Sequence, residues 1–341
     1  MRQLLNTLYV TTSECRLNLS NHGIEINKPD GTKVRVPLVD LESILCFGST
    51  TITTPLMGYC GENGISLAFF TEYGRFMARV EGPTHGSVLL RKAQFRFLEE
   101  NNQGVIDLCR RIVETKLANS REILLRSARD IGAEGEPLRV SATAIANYRQ
   151  KVEQAESIDS IRGLEGAAAA AYFRGFSYLI RENETGFRFE GREQHPARDP
   201  INGLLSYLYT LLANDAVAAM EAVGLDPQCG FFHSLRPGKP SLALDMMEPF
   251  RSPLCDRLAL ALIHRRQITP DSFTEHDGLP MLTHEARQMV LNAWQSRKRK
   301  ELLHPELHER IPVGLLIFAQ AQLLARFLRG EADEWQPFRW R

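Results

Sequence analysis

The chain has 341 residues, with 41 Lys plus Arg, 41 Asp plus Glu and 43% hydrophobic residues. At about 100 to 200 residues per domain, this length predicts two domains with substantial cores, and the composition excludes disordered, collagen-like and coiled-coil chains. Because the charge is balanced, no bulk charge indicates a nucleic acid, a membrane surface or an acidic substrate. A polyanionic partner would have to be bound by local basic clusters.

The six cysteines are scattered without CxxC spacing, which argues against a zinc ribbon and against a small disulfide framework. We therefore expect reduced, mostly buried thiols. The N-terminus lacks a long apolar stretch, and the most apolar late segment, Leu315–Leu328, is interrupted by Gln320, Gln322 and Arg326. These features predict a soluble cytoplasmic protein without a membrane partner.

Up to residue 86 the hydrophobic pattern is strand-like, and turn residues separate the segments. Asn21–Gly23 and Pro29–Gly31 indicate hairpins, because Gly and Asn supply the positive φ values of tight turns. The predicted strands are Leu8–Val10, Arg16–Leu19, Gly23–Ile26, Lys33–Val36 and Ile65–Phe70. They predict a small antiparallel sheet or sandwich.

From residue 87 onward the period becomes helical, so Gly82–Gly86 is the expected domain boundary. Within the helical part, Gly132–Pro137 and Arg181–Pro200 read as loops, the second long enough to be functional. The fold class is therefore α+β: an antiparallel β-sheet or sandwich domain over residues 1–86, followed by a larger all-α domain over residues 87–341.

Basic residues are concentrated in the predicted helices from Val88 to Arg129, where nine Lys or Arg accompany five Asp or Glu. Arg297–Lys300 is a second basic run. Helical arginines are more often solvated faces than nucleic-acid contacts. The nine residues are Arg91, Lys92, Arg96, Arg110, Arg111, Lys116, Arg121, Arg126 and Arg129.

Three segments carry residues suited to chemistry, and the first is Gly163–Phe173. Glu165 would share a helical face with Ala168, Ala169 and Tyr172, so that a metal, a substrate or another backbone could approach its carboxylate closely. The alternative is a solvated glutamate on a tightly packed alanine-rich helix. Taken alone, the segment favours that alternative, because helical carboxylates are usually exposed.

The second segment, Cys229–Pro240, places His233 beside two phenylalanines in a loop rich in Gly and Pro. Such a histidine can serve as a ligand or as an acid/base group, although an ordinary loop histidine is commoner. Arg236 and Lys239 would suit a phosphate.

The third segment, Ser241–Arg251, holds Asp245 and Glu248 three residues apart in an apolar stretch. On a helix they would share a face, whose burial requires a cation or hydrogen bonds. Pro249 disfavours helical geometry at Glu248, which weakens the spacing argument. The alternative is a helix end whose acids pair with Arg251 or with Arg257.

Together, Glu165, His233 and the Asp245/Glu248 pair form a set of one histidine and several carboxylates. Carboxylate oxygens favour magnesium or manganese, and an imidazole tilts the choice toward manganese. An ion held in this way can polarise a phosphoryl oxygen and activate a hydroxyl or water. Spacing alone supports this interpretation only weakly.

The ordered motifs resemble the Cas1 family, the integrase of CRISPR adaptation. They are Leu164–Phe173, the loop His233, Pro240–Arg251, Asp256–Arg257 and Arg265–Ile268, and the opening Leu4–Val10 looks like the subtype I-C branch. The resemblance covers nearly the whole chain. It implies that Glu165, His233 and Glu248 are metal ligands, with Asp245 adjacent and also needed. Many relatives have Asp at the position of Glu248, so either Asp245 or Glu248 could contact the metal.

The resemblance also implies an activity: metal-dependent cleavage of double-stranded DNA and strand transfer, with Mn²⁺ or Mg²⁺. In the family, two homodimers bridged by a dimer of the Cas2 protein capture a short duplex prespacer, and its 3′-hydroxyl ends attack phosphates at the first CRISPR repeat. Exposed edge strands make the β domain a plausible dimer and partner contact.

Such a transesterification needs in-line alignment, a cation and a proton acceptor, but no covalent enzyme nucleophile. His233 could be a metal ligand, the proton acceptor or both. Arg236, Lys239 and Arg251 are candidate phosphate contacts, and the Val88–Arg129 helices are candidate DNA tracks. Two other functions remain open: a structure-specific repair nuclease without an integration partner, and a non-catalytic DNA-binding scaffold.

Overall fold

The structure is a computed structural model that describes residues 7–21, 23–39, 41, 43–72, 76–80, 82, 88–181, 185–193 and 196–340. The chain divides into two compact units. The first unit comprises Met1–His85 and His284–Leu316, and the second comprises Gly86–Thr283 and Ile317–Arg341. The predicted α+β class is confirmed, since strands predominate at the start of the chain and helices follow.

The strands are β1 (Thr7–Val10), β2 (Cys15–Ser20), β3 (Gly23–Asn27), β4 (Lys33–Pro37), β5 (Ser43–Phe47), β6 (Thr50–Ile52), β7 (Ser66–Phe70), β8 (Phe76–Val80), β9 (Phe273–His276), β10 (Leu279–Leu282), β11 (Glu301–Leu303) and β12 (Arg310–Pro312). The α-helices are α1 (Thr54–Glu62), α2 (Val88–Glu100), α3 (Asn102–Ile131), α4 (Glu136–Glu153), α5 (Ile158–Ile180), α6 (Pro200–Val223), α7 (Ser241–Phe250), α8 (Arg257–His264), α9 (His284–Lys298) and α10 (Leu316–Leu328).

Two four-stranded sheets form the N-terminal part of the first unit, in the orders β1-β5-β7-β8 and β4-β3-β2-β6. The β2–β3 and β3–β4 hairpins are antiparallel, as the turn signals predict, and Gly31 has a φ of 83° that a side chain would strain. Both sheets are mixed rather than purely antiparallel, because β1, β5 and β7 are parallel and β6 is parallel to β2. The connection from β5 to its parallel neighbour β7 passes through β6 and helix α1, which provide the crossover that parallel pairing requires.

The core of this unit follows from the alternation in the sequence. Leu17, Ile24, Ile44 and Leu67 on the strands, with Leu56 of α1, are completely buried in one cluster. Each fully buried aliphatic side chain contributes roughly 1.5 to 3 kcal/mol of transfer free energy.

The segment His284–Leu316 belongs with the first unit, whereas the sequence analysis included it in a helical domain over residues 87–341. Two long-range contacts show why. Arg287 of α9 lies 4.0 Å from the Glu72 carboxylate, and Gln288 Nε2 donates a 3.3 Å hydrogen bond to Thr11 Oγ1. Neither contact has a local signature in the sequence.

The second unit is built around α3, a 30-residue helix that packs against α4, α5 and α7. Side-chain caps define where the helices begin: Asn101, Ser157 and Asp199 each accept a hydrogen bond from a backbone N–H three residues later. These caps fix the register of α3, α5 and α6, and thereby the faces that they present to one another.

All six cysteines lie within the described residues, and each is a buried thiol rather than half of a disulfide, as predicted. In the described part of the chain, no helix combines the length and the apolar character that a membrane span requires.

Candidate active site

A cleft of about 970 Å³ opens within the second unit. Its walls come from α3, α5, α6, α7 and the loop that precedes α7. The chemically active side chains on these walls are Lys116, Glu165, His233, Glu248 and Arg251.

Glu165 projects from α5 beside the small residues that its motif contains. Gly166, Ala168 and Ala169 line the cleft next to it, and its side chain is 20% exposed. Its carboxylate pairs with the ammonium group of Lys116 on α3. The glutamate is therefore a partly buried, ion-paired group rather than the solvated acid that the segment alone favoured.

The loop that carries His233 is held by buried polar contacts. Gln94 of α2 is completely buried and donates to the carbonyls of Asp226 and Cys229. Arg162 of α5 donates two hydrogen bonds to the carbonyl of Phe232, at 3.1 and 2.6 Å. These contacts fix the backbone that leads up to the histidine.

Gly230 lets this loop pack directly on the start of α7. A Cβ atom at this position would lie 2.5 Å from the Ser241 carbonyl carbon and 2.7 Å from the Leu242 nitrogen, both of them backbone atoms. Ser241 Oγ donates a 3.0 Å hydrogen bond to the carbonyl of Ser234, which closes the loop on the helix.

Asp245 is fully buried, and its hydrogen bonds organise the loop. The backbone N–H groups of Phe231, Phe232 and His233 donate to its carboxylate at 2.6, 2.9 and 2.9 Å. His233 Nδ1 lies 2.6 Å from Asp245 Oδ1, which fixes the tautomer with the proton on Nδ1. The remaining ring nitrogen, Nε2, faces Glu248 Oε1 at 3.6 Å.

Glu248 is 2% exposed and lies between cations. Arg251 contacts its Oε1 at 3.1 Å, and Lys116 Nζ lies 2.6 Å from its Oε2. Burial opposes ionisation, but the charges of Arg251, Lys116 and His233 outweigh it and hold the pKa of Glu248 well below its usual value. Burial lowers the pKa of Lys116, but the carboxylates of Glu248 and Glu165 outweigh this effect and keep that pKa above its usual value.

The helix does not break at Glu248, although Pro249 disfavours helical geometry there. Helix α7 continues to Phe250 and passes into a π-helical turn over Arg251–Asp256. Asn119 Nδ2 of α3 donates a 2.8 Å hydrogen bond to the Pro249 carbonyl. Asp245 and Glu248 consequently remain on neighbouring turns of one helix, and π turns of this kind are frequent at functional sites.

A second buried cluster beside the carboxylates has Asp256 at its centre. Tyr172 and Tyr209 donate hydrogen bonds to its two oxygens at 2.9 and 2.7 Å, and the side chains of Arg192 and Arg251 lie over the Tyr209 ring. Burial raises the pKa of Asp256 to about 6, although the tyrosine hydrogen bonds partly oppose the shift.

The structure thus brings three of the predicted site residues, Glu165, His233 and Glu248, onto the walls of one cleft, with Asp245 buried behind His233. Lys239 lines the cleft too, whereas Arg236 is exposed and is absent from its lining.

Lys116 was predicted to belong to a basic helix face, but it lies between two carboxylates. Sequence reasoning also missed Arg192 and Tyr209. The signal for Lys116 was available: it interrupts a buried face of α3 formed by Ile112, Val113 and Ser120.

As placed, no three His, Cys, Asp or Glu side chains of the described residues are close enough together to hold a metal ion. The ammonium group of Lys116 occupies the space between the Glu165 and Glu248 carboxylates instead. Glu248 Oε2 is buried, and the ammonium group of Lys116, 2.6 Å away, compensates its charge. Two carboxylates that already attract a cation, with an imidazole nitrogen oriented toward them, form a donor set that fits a divalent metal ion.

Comparison with known proteins defines the class. The sequence profile of the CRISPR associated protein Cas1 family matches residues 8–296. A CRISPR-associated endonuclease Cas1 of Rhodospirillum rubrum is 46% identical, and one of Moorella thermoacetica is 42% identical; each alignment covers 100% of both chains. The chain belongs to the Cas1 family. The inferred function, an endonuclease and integrase of CRISPR adaptation, is confirmed at the level of the family.

Solved structures share the fold. A chain of a Cas6-RT-Cas1–Cas2 complex superposes with a TM-score of 0.85 at 22% identity, covering 99% of this chain and 37% of that one. A casposase bound to integration product superposes with a TM-score of 0.85 at 19% identity, covering 97% and 92%.

Proposed function

We propose that this enzyme uses Glu165, His233 and Glu248 to bind a divalent ion, Mn²⁺ or Mg²⁺, and joins the 3′-hydroxyl ends of a duplex prespacer to phosphates of a CRISPR repeat. The observation that carries the proposal is the convergence of these residues, far apart in sequence, on one cleft where a cation already bridges the two carboxylates. When bound, the ion would stabilise charge on a phosphoryl oxygen.

Asp245 has a positioning role in this proposal. Both of its oxygens accept hydrogen bonds from the loop, which leaves neither free for an ion, whereas Glu248 Oε2 is in contact with the ammonium group of Lys116 on the wall of the cleft. The geometry therefore favours Glu248 over Asp245 as the direct ligand. His233 Nε2 is left as an acceptor, either for the ion or for the proton of the attacking hydroxyl. A covalent nucleophile is unnecessary, and burial raises the pKa of the Cys229 thiol to about 12.

DNA would approach the cleft through its basic rim. Lys239 lines the cleft and Arg236 is exposed on the same loop, so both can reach phosphates. Arg251 is held by Glu248 and by the ring of Tyr209, so in the free enzyme it supports the site. Removing all three charges should weaken DNA binding and lower its salt dependence; unchanged affinity and salt slope would exclude these contacts.

We further propose that the enzyme acts in the cytoplasm as two homodimers bridged by a dimer of Cas2, with the β strands of residues 1–86 as the dimer and partner contact. The fold shared with a chain of the Cas6-RT-Cas1–Cas2 complex supports the Cas2 assignment. The subtype I-C assignment rests on the opening Leu4–Val10. Preferential joining at I-C repeats over repeats of other subtypes would test it.

The direct experiment is strand transfer of a short duplex with free 3′-hydroxyl ends into a plasmid carrying a CRISPR repeat, with Mn²⁺ or Mg²⁺. Native protein and Glu165→Ala would each be assayed with and without Cas2, alongside DNA binding. We expect joining that the substitution abolishes while binding persists.

Two outcomes would support other functions. Cleavage without joining under every condition, and full activity without Cas2, would indicate a repair nuclease. DNA binding without any cleavage or joining by the native protein would indicate a scaffold. Joining that Glu165→Ala leaves intact would remove Glu165 from the site.

A further inference from the structure

We propose that Lys116 is an internal counter-ion that occupies the metal position between Glu165 and Glu248, so that a divalent ion binds only by displacing it. The inference rests on the proposed metal site. It assigns to Lys116 a role in setting metal affinity, rather than a contact to DNA or a purely structural ion pair.

The position of the ammonium group is the first observation. Lys116 Nζ contacts the Glu165 carboxylate and lies 2.6 Å from Glu248 Oε2. A divalent ion held by Glu165 and Glu248 would need the carboxylate oxygens that Lys116 now contacts. An ammonium group and a metal ion cannot both occupy the space beside these oxygens.

Charge balance is the second observation. Glu165 and Glu248 carry two negative charges, and Lys116 and Arg251 lie against them with two positive charges. This neutral arrangement compensates buried carboxylates without a metal. A divalent ion added with Lys116 still in place would leave excess positive charge in a poorly solvated site, so binding is coupled to withdrawal of the lysine.

The third observation is that Lys116 can leave while Arg251 is held. The lysine side chain borders the open cleft, and its four-carbon stem is flexible. Arg251 also lies over the Tyr209 ring, 5.3 Å from its centroid. Lys116 is thus the cation that the cleft can release, and its displaced ammonium group would remain in the cleft as a hydrogen-bond donor.

Titration calorimetry with Mn²⁺ on the DNA-free, full-length protein tests the inference. Lys116→Met removes the charge at similar length, and Lys116→Gln is a second neutral variant in case the first fails to fold. We expect each to bind Mn²⁺ about tenfold more tightly than the native protein, or more. Without metal they should unfold at lower temperature, because the carboxylates lose their counter-ion. Lys92→Met, exposed on α2 outside the cleft, should match the native protein in both measurements.

A second test of the inference uses the native protein and does not depend on any substitution. Acetylation of Lys116 by acetic anhydride, followed by mass spectrometry, should accelerate severalfold when Mn²⁺ is added, because the amine leaves its carboxylate partners. Unchanged labelling while Mn²⁺ binds would overturn the inference.

The outcomes also separate this inference from the metal site itself. If Lys116→Met and Lys116→Gln bind Mn²⁺ no more tightly than native protein while Glu165→Gln loses binding, the inference fails and the site stands. If native protein, Lys116→Met and Glu165→Gln all bind equally, or none binds, both fail. If the two neutral variants bound Mn²⁺ and the native protein did not, Lys116 would compete strongly with the ion, and the inference would be supported.

Discussion

His233 Nδ1 lies 2.6 Å from Asp245 Oδ1, and the same fully buried carboxylate accepts hydrogen bonds from three consecutive backbone N–H groups of the histidine's own loop. One aspartate thereby sets the tautomer of the imidazole, the path of the loop and the direction in which Nε2 points. Asp245 therefore positions the loop and the imidazole from behind the cleft, whereas Glu248 lies on the cleft wall.

Replacing Asp245 tests its positioning role. Asp245→Asn presents an amide NH₂ to some of these N–H donors and leaves them unsatisfied, so we expect a loss of roughly 2 to 4 kcal/mol in the free energy of unfolding, measured in urea. Asp159→Asn is the matched control: its exposed side chain pairs with Arg162 on the surface, so the change should be within about 0.5 kcal/mol. A native-like stability of Asp245→Asn would contradict the positioning role.

Gly230→Ala tests the close approach of the loop to α7. The new Cβ would collide with backbone atoms of Ser241 and Leu242, so we expect destabilisation of about 1 to 3 kcal/mol and a strong fall in joining as His233 shifts. Gly163→Ala, at an exposed position of α5, meets nothing within 4 Å and should raise stability by about 0.5 to 1 kcal/mol. Equal effects of the two substitutions on thermal unfolding and joining would refute the packing argument.

The length and the charge of residue 248 can be separated. Glu248→Asp keeps the carboxylate and should retain measurable joining. Glu248→Gln removes the charge that Arg251 and Lys116 compensate, and should lower the single-turnover joining rate by about 100-fold or more. DNA affinity, measured in parallel by fluorescence anisotropy, should persist in both. Equal joining rates for the two variants would show that the charge is unimportant.

Asp256 predicts a pH dependence of stability. Its pKa is about 6 in the native protein, against about 3.9 in an unfolded chain, so the native state binds more protons between these values. Its contribution to stability therefore falls as pH rises from about 4 to about 6.

Relative to Asp256→Asn, which cannot ionise, the native protein should lose up to about 3 kcal/mol between pH 4 and pH 7. Urea unfolding of both proteins at several pH values measures the difference, and other titrating groups cancel in it. If the difference in unfolding free energy between the two proteins did not change with pH, the pKa of Asp256 in the native protein would be near its ordinary value, which would contradict the prediction.

Much of the fold was predictable because its signals are local. Alternation placed β2, β3 and β4, and the turn residues specified their hairpins. The parallel pairing of β5 with β7, and the grouping of residues 284–316 with the first unit, depend on contacts between distant segments, so no local pattern reveals them.

The acidic and imidazole members of the candidate site were recognised from their motifs, and Arg251 was named as a partner of the acids, but the place of Lys116 between the carboxylates was not predicted. Lys116 is 49 residues before Glu165 and 132 before Glu248, and only the packing of α3 against α5 and α7 brings the three together. The role of Arg192 depends in the same way on a loop that reaches the Tyr209 ring.

The central claim is that Glu165, His233 and Glu248 hold the metal ion, and anomalous diffraction from crystals of the full-length protein soaked with Mn²⁺ tests it most directly. We predict a manganese peak at the Glu165 and Glu248 carboxylates and His233 Nε2. A peak elsewhere, or an ordered crystal without a peak at saturating Mn²⁺, would contradict the account.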